Sequence, residues 1–473
     1  MFDKGVIRQY IAGFTACCSV LVAGTCFGWV APILKNLIEE GSEIPMTASQ
    51  SSWMISIIEA GNLLSPIPAG MLSDRWGRKP LILATGPLYF ISWIIILYYH
   101  NFSALCLSRV LQGIALGISI TVVPIYISEI SSPRIRGSIS SLFHNSWYLG
   151  HLIEYCMGPF MSYRTFTYAT ATIPVIFMIM FFWQPESPYY LLMKKKNCKA
   201  AQALLVLRGK TSTEYISEEL EVMRANVDKV MKYKPMWKDL VATPADRKAI
   251  LIIVVLGGVR VMSGALAIMT YMSQTFSKMT TTDFTPHHIT IIIGAFMFVT
   301  SFFSTVIVDI SGRRPLIFIS SLGAGITLFL AGGYFYLDKN THIDVSKYNL
   351  FPAVIIIIYS LFVTSGLGPV SLMYQSELFL SNTRGLASSI SALNLTVWSF
   401  LVLKFYQVID DSIGVFLIYL IFSTSCFFGC VFIYFIAPET KGKTFAEIRE
   451  EMIYKIEIKR KRNNLQDNIN NPI

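Results

Sequence analysis

Asp74-Arg75-Trp76-Gly77-Arg78-Lys79 closes one long apolar run, and Asp309-Ile310-Ser311-Gly312-Arg313-Arg314 closes another, 235 residues further on. Both read as an acid, two spacers, a glycine, an arginine and a second base. Glu129 is followed seven residues on by Arg136-Gly137, and Glu377 by Arg384-Gly385, both displaced by 248. Four matched elements in the same order, each at the end of an apolar run, mark a duplicated membrane unit. Internal repeats of this kind are a carrier architecture, with the site between the repeats near the bilayer midplane.

The runs around these motifs are about 20 residues long, enough for a helix to span roughly 30 Å of hydrocarbon. Twelve are expected, over 10–34, 53–72, 80–99, 104–127, 138–158, 167–184, 249–272, 288–308, 315–337, 351–375, 386–407 and 413–437. Only Glu59, Arg109, Glu154, Arg260 and Lys404 bring a charge into them. The fold class is therefore an all-α membrane protein of two six-helix pseudo-repeats. A β-barrel is excluded because the runs are continuous rather than alternating. The chain as a whole is 14% charged, against roughly 25% in soluble domains. That argues against a soluble enzyme, a nucleic-acid binder or a disulfide scaffold.

The polar stretch 185–248 divides the spans six and six. It separates a first half, 1–184, from a second, 249–437, with a tail at 438–473. The stretch is basic (Lys194, Lys195, Lys196, Lys199) and carries short helical runs, one with Thr211 and Glu214 as a capping box. With the N-terminus in the cytoplasm, 31 of the 39 lysines and arginines fall on the inner side. That matches the positive-inside rule and places both termini inside. The net charge of +10 is then a topology signal and calls for no nucleic acid. The opening run is too long for a signal peptide and reads as an uncleaved first span. No cysteine lies in an outer loop, so no disulfide framework is expected, and neither sequon, at Asn101 or Asn394, is expected to be glycosylated.

The duplicated acids and bases suit a latch. Glycine permits a tight turn between helices, and arginine offers a fork that two carboxylates can share. Asp74, Arg75, Arg78, Glu129 and Arg136 of one half, with Asp309, Arg313, Arg314, Glu377 and Arg384 of the other, are expected to pair when the inner side closes and part when it opens. The plainer alternative is surface ion pairs, each contributing about 0–1 kcal/mol.

In combination these motifs resemble the sugar-porter branch of the major facilitator superfamily. The resemblance rests on Gly70 with Asp74–Lys79, Arg109, Pro124-Ile125-Tyr126 with Glu129 and Arg136-Gly137, and Pro185-Glu186-Ser187-Pro188. It continues through Asp309–Arg314, Glu377 with Arg384-Gly385, and Pro438-Glu439-Thr440-Lys441-Gly442. Thr47, Gln50, Ser52 and Trp53 are most similar to the insect facilitated trehalose transporter group. The resemblance implies a major facilitator fold, transport without enzymatic chemistry, and a place for Glu439 in the latch. It also implies a Gln-Gln-x-Ser-Gly-x-Asn run on span 7, where this chain reads Arg260-Val261-Met262-Ser263-Gly264-Ala265-Leu266. A sugar-binding Gln falls on His144, a Pro-Trp pair on Ser371-Leu372, and a span-11 Asn on Leu395 beside Asn394. Tyr271 keeps the family's outer aromatic gate, and Val30 stands where proton-coupled relatives carry Asp.

His144, Trp147, His151 and Glu154 are spaced 3, 4 and 3 and so share a helix face. Bare charge at the bilayer centre costs about 2.5–3.5 kcal/mol, so Arg260 is expected to face a cavity. Its partner there is Glu154, Glu59 or a substrate anion. The cavity candidates are therefore His144, Trp147, His151, Glu154, Arg260, Ser263, Tyr271, Ser371 and Asn394. The plainer alternative is an internal ion pair with two packed histidines. Arg109 is expected to be structural and Lys404 to snorkel. No cofactor, metal or nucleic-acid site is expected, and His287-His288 is weak as a ligand pair. The expected function is facilitated transport of a sugar, trehalose or a hexose, by a monomer in the cell membrane. The alternatives are a carrier of an anionic or other non-sugar solute centred on Arg260, and a non-transporting solute sensor.

Overall fold

A bilayer offers backbone amides no water, so each apolar run satisfies its own amides as helix. The computed structural model describes residues 4–38, 44, 46–232, 237–277, 285–341, 348–379, 383–443 and 447–453. In the first half the spans are α1 (Lys4–Gly28, continuing after Trp29 as α1b, Val30–Ile38), α2 (α2a, Ala48–Leu64, and α2b, Pro66–Trp76), α3 (Arg78–Tyr98), α4 (Phe102–Ile130), α5 (Arg136–Met157) and α6 (Tyr163–Phe182). In the second they are α7 (α7a, Pro244–Met262, and α7b, Ala265–Thr275), α8 (Pro286–Ser311), α9 (Arg313–Asn340), α10 (Phe351–Phe362, a π turn at Val363–Leu367, then Gly368–Glu377), α11 (Arg384–Ser412) and α12 (Val415–Ile436). Ten of these are long and apolar enough to cross a bilayer. α2 qualifies as a broken span, bent by 44° where Pro66 interrupts the ladder. The remaining helix, α5, has a span's length but carries too many polar residues for that measure.

The starts are written locally. Thr47 and Gln50, part of the family resemblance, form a capping box at α2a, and Thr243 and Asp246 form another at α7a. Asp246 thereby draws the polar residues 244–248 into the helix, ahead of the expected start at 249. His288 closes the box at α8 with Thr285, which accounts for one of the paired histidines without a metal. Asn101 caps α4 by accepting from the Ala104 amide, 2.7 Å.

α1 lies against α5, α2 against α4, and α3 against α4 and α6. In the second half α9 lies against α12 and α10, and α7 against α11. The halves meet along α2a–α11 and α5–α8, and through α1b against α7b. Three short helices of the linker (Pro188–Met193, Asn197–Arg208, Ser217–Lys232) pack on one another, and the second of them lies against α1. Arg208 donates to the Ile130 carbonyl and grips Glu219 at 2.6 Å. The expected Thr211–Glu214 box is replaced: Ser212 caps a single 3₁₀ turn, and the longer helix begins at Ser217. The face carrying these helices is called the linker face below, and the opposite one the far face.

Candidate functional site

On the linker face the two halves build the same device twice. Gly77 and Gly312 join α2 to α3 and α8 to α9 with φ of 117° and 85°, a region L side chains rarely adopt. The turn brings Arg78 and Arg313 onto carboxylates from α4 and α10. Arg78 is buried. It donates to Glu129 through two nitrogens at 3.0 and 3.1 Å, to the Ser73 carbonyl at 2.9 Å, and contacts Asp74 at 3.0 Å. Arg313 meets Glu377 at 3.0 Å. A hydroxyl completes each carboxylate: Ser187 donates to Glu129, and Thr440 to Glu377 at 2.6 Å. A tyrosine anchors each strap, Tyr126 donating to the Pro185 carbonyl (2.7 Å) and Tyr374 to that of Pro438 (2.8 Å).

Glu439 accepts from the Arg313 and Arg314 amides, 3.1 and 3.0 Å, and Glu186 accepts from the Lys79 amide, 3.2 Å. Both carboxylates thus satisfy amides left open at a helix start, where the dipole favours negative charge. Burial pushes the Glu186 carboxyl above its usual range. Tyr126, Glu186, Ser187 and Thr440 belong to the family motifs but are not assigned to the ion-pair network by sequence, and Tyr374 is not singled out. The signal was present, because Pro-Glu-Ser and Pro-Glu-Thr repeat at 185 and 438.

These pairs stay within one half each. Arg75 is exposed, Arg136 reaches only the Ser131 carbonyl at 3.5 Å, and Arg314 binds the Tyr434 carbonyl at 2.7 Å. The side chains of Asp309 and Arg384 lie outside the described residues. Pairing across the halves is not formed by the described members, because the halves stand apart here. α2b touches α11 only marginally, and Gly70, Gly137 and Gly385 look onto open space.

Polar contacts between halves lie in the middle and at the far face. Asn62, which also donates to Glu59 of its own helix (2.8 Å), donates across the seam to Thr396 (3.1 Å), and Ser301 donates to Asn145 (2.8 Å). Nearer the far face Tyr155 donates to the Met269 carbonyl (2.8 Å) and Lys404 to Ser52 (2.8 Å). The Lys404 ammonium also stands 4.1 Å from the Trp53 ring centroid, so Lys404 bridges the halves rather than snorkelling. Tyr271 is buried, stacked on Tyr406 at 4.2 Å and bonded to the Leu403 carbonyl. Among the described residues the polar contacts between halves thus gather in the middle and at the far face, and the charged groups of the linker face pair within their own halves.

The α5 candidates separate. Gly28 lets α1 approach so closely that Glu154 and His151 are sealed between α1 and α5. Glu154 accepts from Thr170 of α6 at 2.9 Å, and His151 bonds the Trp147 carbonyl at 3.0 Å. Both belong to the core of the first half. This corrects their placement in the cavity and removes the Arg260–Glu154 pair. The Arg260–Glu59 pair is likewise absent, since Asn62 holds Glu59. Trp147 is half-buried against Phe27, at 5.4 Å between centroids. Arg109 donates to the Cys26 carbonyl (2.6 Å) and to Gln112 (3.0 Å) and lies on Trp29, a structural role as expected. Ser263 and Ser371 are buried and spend their hydroxyls on their own helices. Asn394 donates to the Val254 carbonyl, 2.9 Å. His144 and Arg260 remain at the seam, partly buried, with Arg260 close enough for its charge to act on His144 and Tyr148.

Two six-helix halves in contact through α2a–α11, α5–α8 and α1b–α7b define the duplicated fold of a multi-pass membrane protein. The chain belongs to the family described as sugar (and other) transporter, whose sequence profile matches residues 14–452. It is similar to the facilitated trehalose transporters Tret1 of Drosophila mojavensis, Aedes aegypti and Culex quinquefasciatus, each 28% identical over 95% of this chain. The chain spans about half the length of the first two (52% and 55%) and 86% of the third. The fold is that of the proton:xylose symporter XylE bound to 6-bromo-6-deoxy-D-glucose, with a TM-score of 0.77 at 19% identity, covering 95% of this chain and all of that one. Inward-open XylE from E. coli gives 0.75 at 20% identity, covering 93% and 98%. These relatives move solutes and are not enzymes.

Proposed function

We propose that this chain is a facilitative sugar carrier of the cell membrane, working as a monomer with the linker face and both termini in the cytoplasm. Residues 1–184 and 249–437 act as the two rocking bodies, joined by the linker 185–248. The observation that carries this reading is the asymmetry of the closures. Lys404–Ser52, Tyr155–Met269 and α1b on α7b hold the far face shut while the linker-face pairs stay inside their halves. Rocking the halves would break the first set and bring Arg136 and Arg384 toward the opposite half. Val30, at the position of the family's Asp, leaves no carboxylate on α1 for proton coupling.

The test is uptake of labelled trehalose and glucose at two pH values in expressing cells, with Arg136→Ala as the gate-broken control. Saturable, pH-insensitive uptake reduced by that substitution supports the reading. Uptake that runs only with an inward proton gradient overturns facilitation. A surface-expressed protein that moves neither sugar, nor any sugar acid, overturns the carrier and leaves the non-transporting sensor.

A further inference from the structure

Arg260 is the one cation among the described residues at the seam of the halves near the middle of the spans. It lies in the last turn of α7a, beside the break at Ser263-Gly264, and its own carbonyl accepts from Ser263 at 2.6 Å. Its side chain is only partly buried. Among the described residues no carboxylate pairs with it. Glu59 is held by Asn62, and Glu154 lies behind α5 against α1 and α6. The end of α7a offers partial negative charge and no full counter-ion. Across the seam stand His144 and Tyr148, and the buried Nε2 of His144 has no hydrogen-bond partner. A guanidinium, an unused imidazole nitrogen and a phenol thus share one stretch of the seam, and among the described residues no carboxylate pairs with the guanidinium.

We propose that the solute is a sugar bearing a single carboxylate, a hexuronate or aldonate, with the carboxylate on Arg260 and hydroxyls on His144 and Tyr148. This rests on the carrier reading above and narrows its substrate class. The guanidinium fork matches a carboxylate in two parallel bonds. One fixed positive charge balances one negative charge. A phosphate monoester would carry a further charge, and the other intramembrane cations are elsewhere: Arg109 lies on Trp29 inside the first half, and Lys404 on Trp53 at the far face. Hydroxyls suit His144 and Tyr148, whose polar atoms can both give and accept hydrogen bonds.

The experiment compares uptake of labelled glucuronate, glucose and glucose 6-phosphate in cells expressing wild type, Arg260→Gln and Arg260→Lys, with surface expression measured. The purified full chain is also heated with and without glucuronate. The expected result is saturable glucuronate uptake and a glucuronate-dependent rise in melting temperature. The ratio of glucuronate to glucose uptake should fall about tenfold or more in Arg260→Gln, the loss of one charged hydrogen bond. Arg260→Lys should fall less. Glucose uptake with neither glucuronate uptake nor stabilisation overturns the proposal and leaves the sugar carrier standing. Preference for glucose 6-phosphate overturns the carboxylate assignment. Neither uptake nor stabilisation by any of the three overturns the proposal, and it overturns the carrier reading as well if trehalose is not taken up either.

Discussion

Lys404→Met keeps the aliphatic stem and removes the ammonium that ties α11 to α2a at the far face. Two interactions are lost, a charged hydrogen bond of 2.8 Å to Ser52 and a cation–π contact of 4.1 Å with Trp53. A hydrogen bond from a charged donor contributes about 1.5–3 kcal/mol, and a partly solvated cation–π contact about 0.5–1 kcal/mol. The ammonium is half-buried and loses water to make them, so a net of about 2 kcal/mol in favour of closure is reasonable. If the contact exists only when the far face is shut, its loss raises the open population about 30-fold. Ser56, one turn deeper than Ser52 on α2a, is fully buried and reports that opening as Ser56→Cys. The background carries serine at Cys106, Cys156 and Cys198, the cysteines that are not buried. A membrane-impermeant maleimide added from the far side should label the double variant at least tenfold faster than Ser56→Cys alone. Rates within a factor of two would refute the reasoning, because the bridge would then bias nothing.

Arg78→Ala leaves the half-buried Glu129 with only Ser187 as a side-chain partner, so chemical denaturation of the purified protein should show a loss of about 3 kcal/mol; a loss under about 1 kcal/mol would show that water solvates the site. Glu186 is held above the usual carboxylate range, so the folded chain binds its proton more tightly than the unfolded chain does. Stability therefore falls as pH rises from the ordinary carboxylate range through the raised value, and the thermal-stability difference between wild type and Glu186→Gln should carry that slope; a pH-independent difference contradicts it. Glu154→Gln keeps an acceptor for Thr170 and lies behind the seam, so the KM for the transported solute should stay within twofold of wild type, and a larger change would return Glu154 to the cavity.

The spans were legible because the bilayer imposes one rule on every residue in them: amides must bond within the helix and charge must stay out. Five charges in twelve apolar runs met that rule with little ambiguity. The repeat was legible for a related reason. Each half must turn at Gly77 or Gly312 and hold an arginine on a carboxylate, so the same residue types recur at matched offsets. The Pro-Glu-Ser and Pro-Glu-Thr straps obey the same logic, and their repetition could have added Glu186, Ser187 and Thr440 to the selected residues.

The α5 quartet shows where spacing runs out. At about 100° per residue, positions 144 to 154 sweep roughly 80° of the helix surface. That arc is one face, and His151 falls within it between His144 and Trp147, so what separates the residues is their position along the helix: His151 and Glu154 lie further on, opposite Gly28. Gly28 decides the outcome by drawing α1 onto α5 and sealing His151 and Glu154 inside the first half.

By itself the sequence determined the number of spans, the two halves and the charged turns, because each follows from local periodicity or from a bond made within a few residues. Only the tertiary structure decided which polar groups meet across the seam, that Lys404 ties the far face, and that among the described residues no carboxylate pairs with Arg260. Those facts depend on how separate helices approach and rotate, and neighbours 334 and 352 residues apart, Asn62 with Thr396 and Ser52 with Lys404, leave no local periodicity to read.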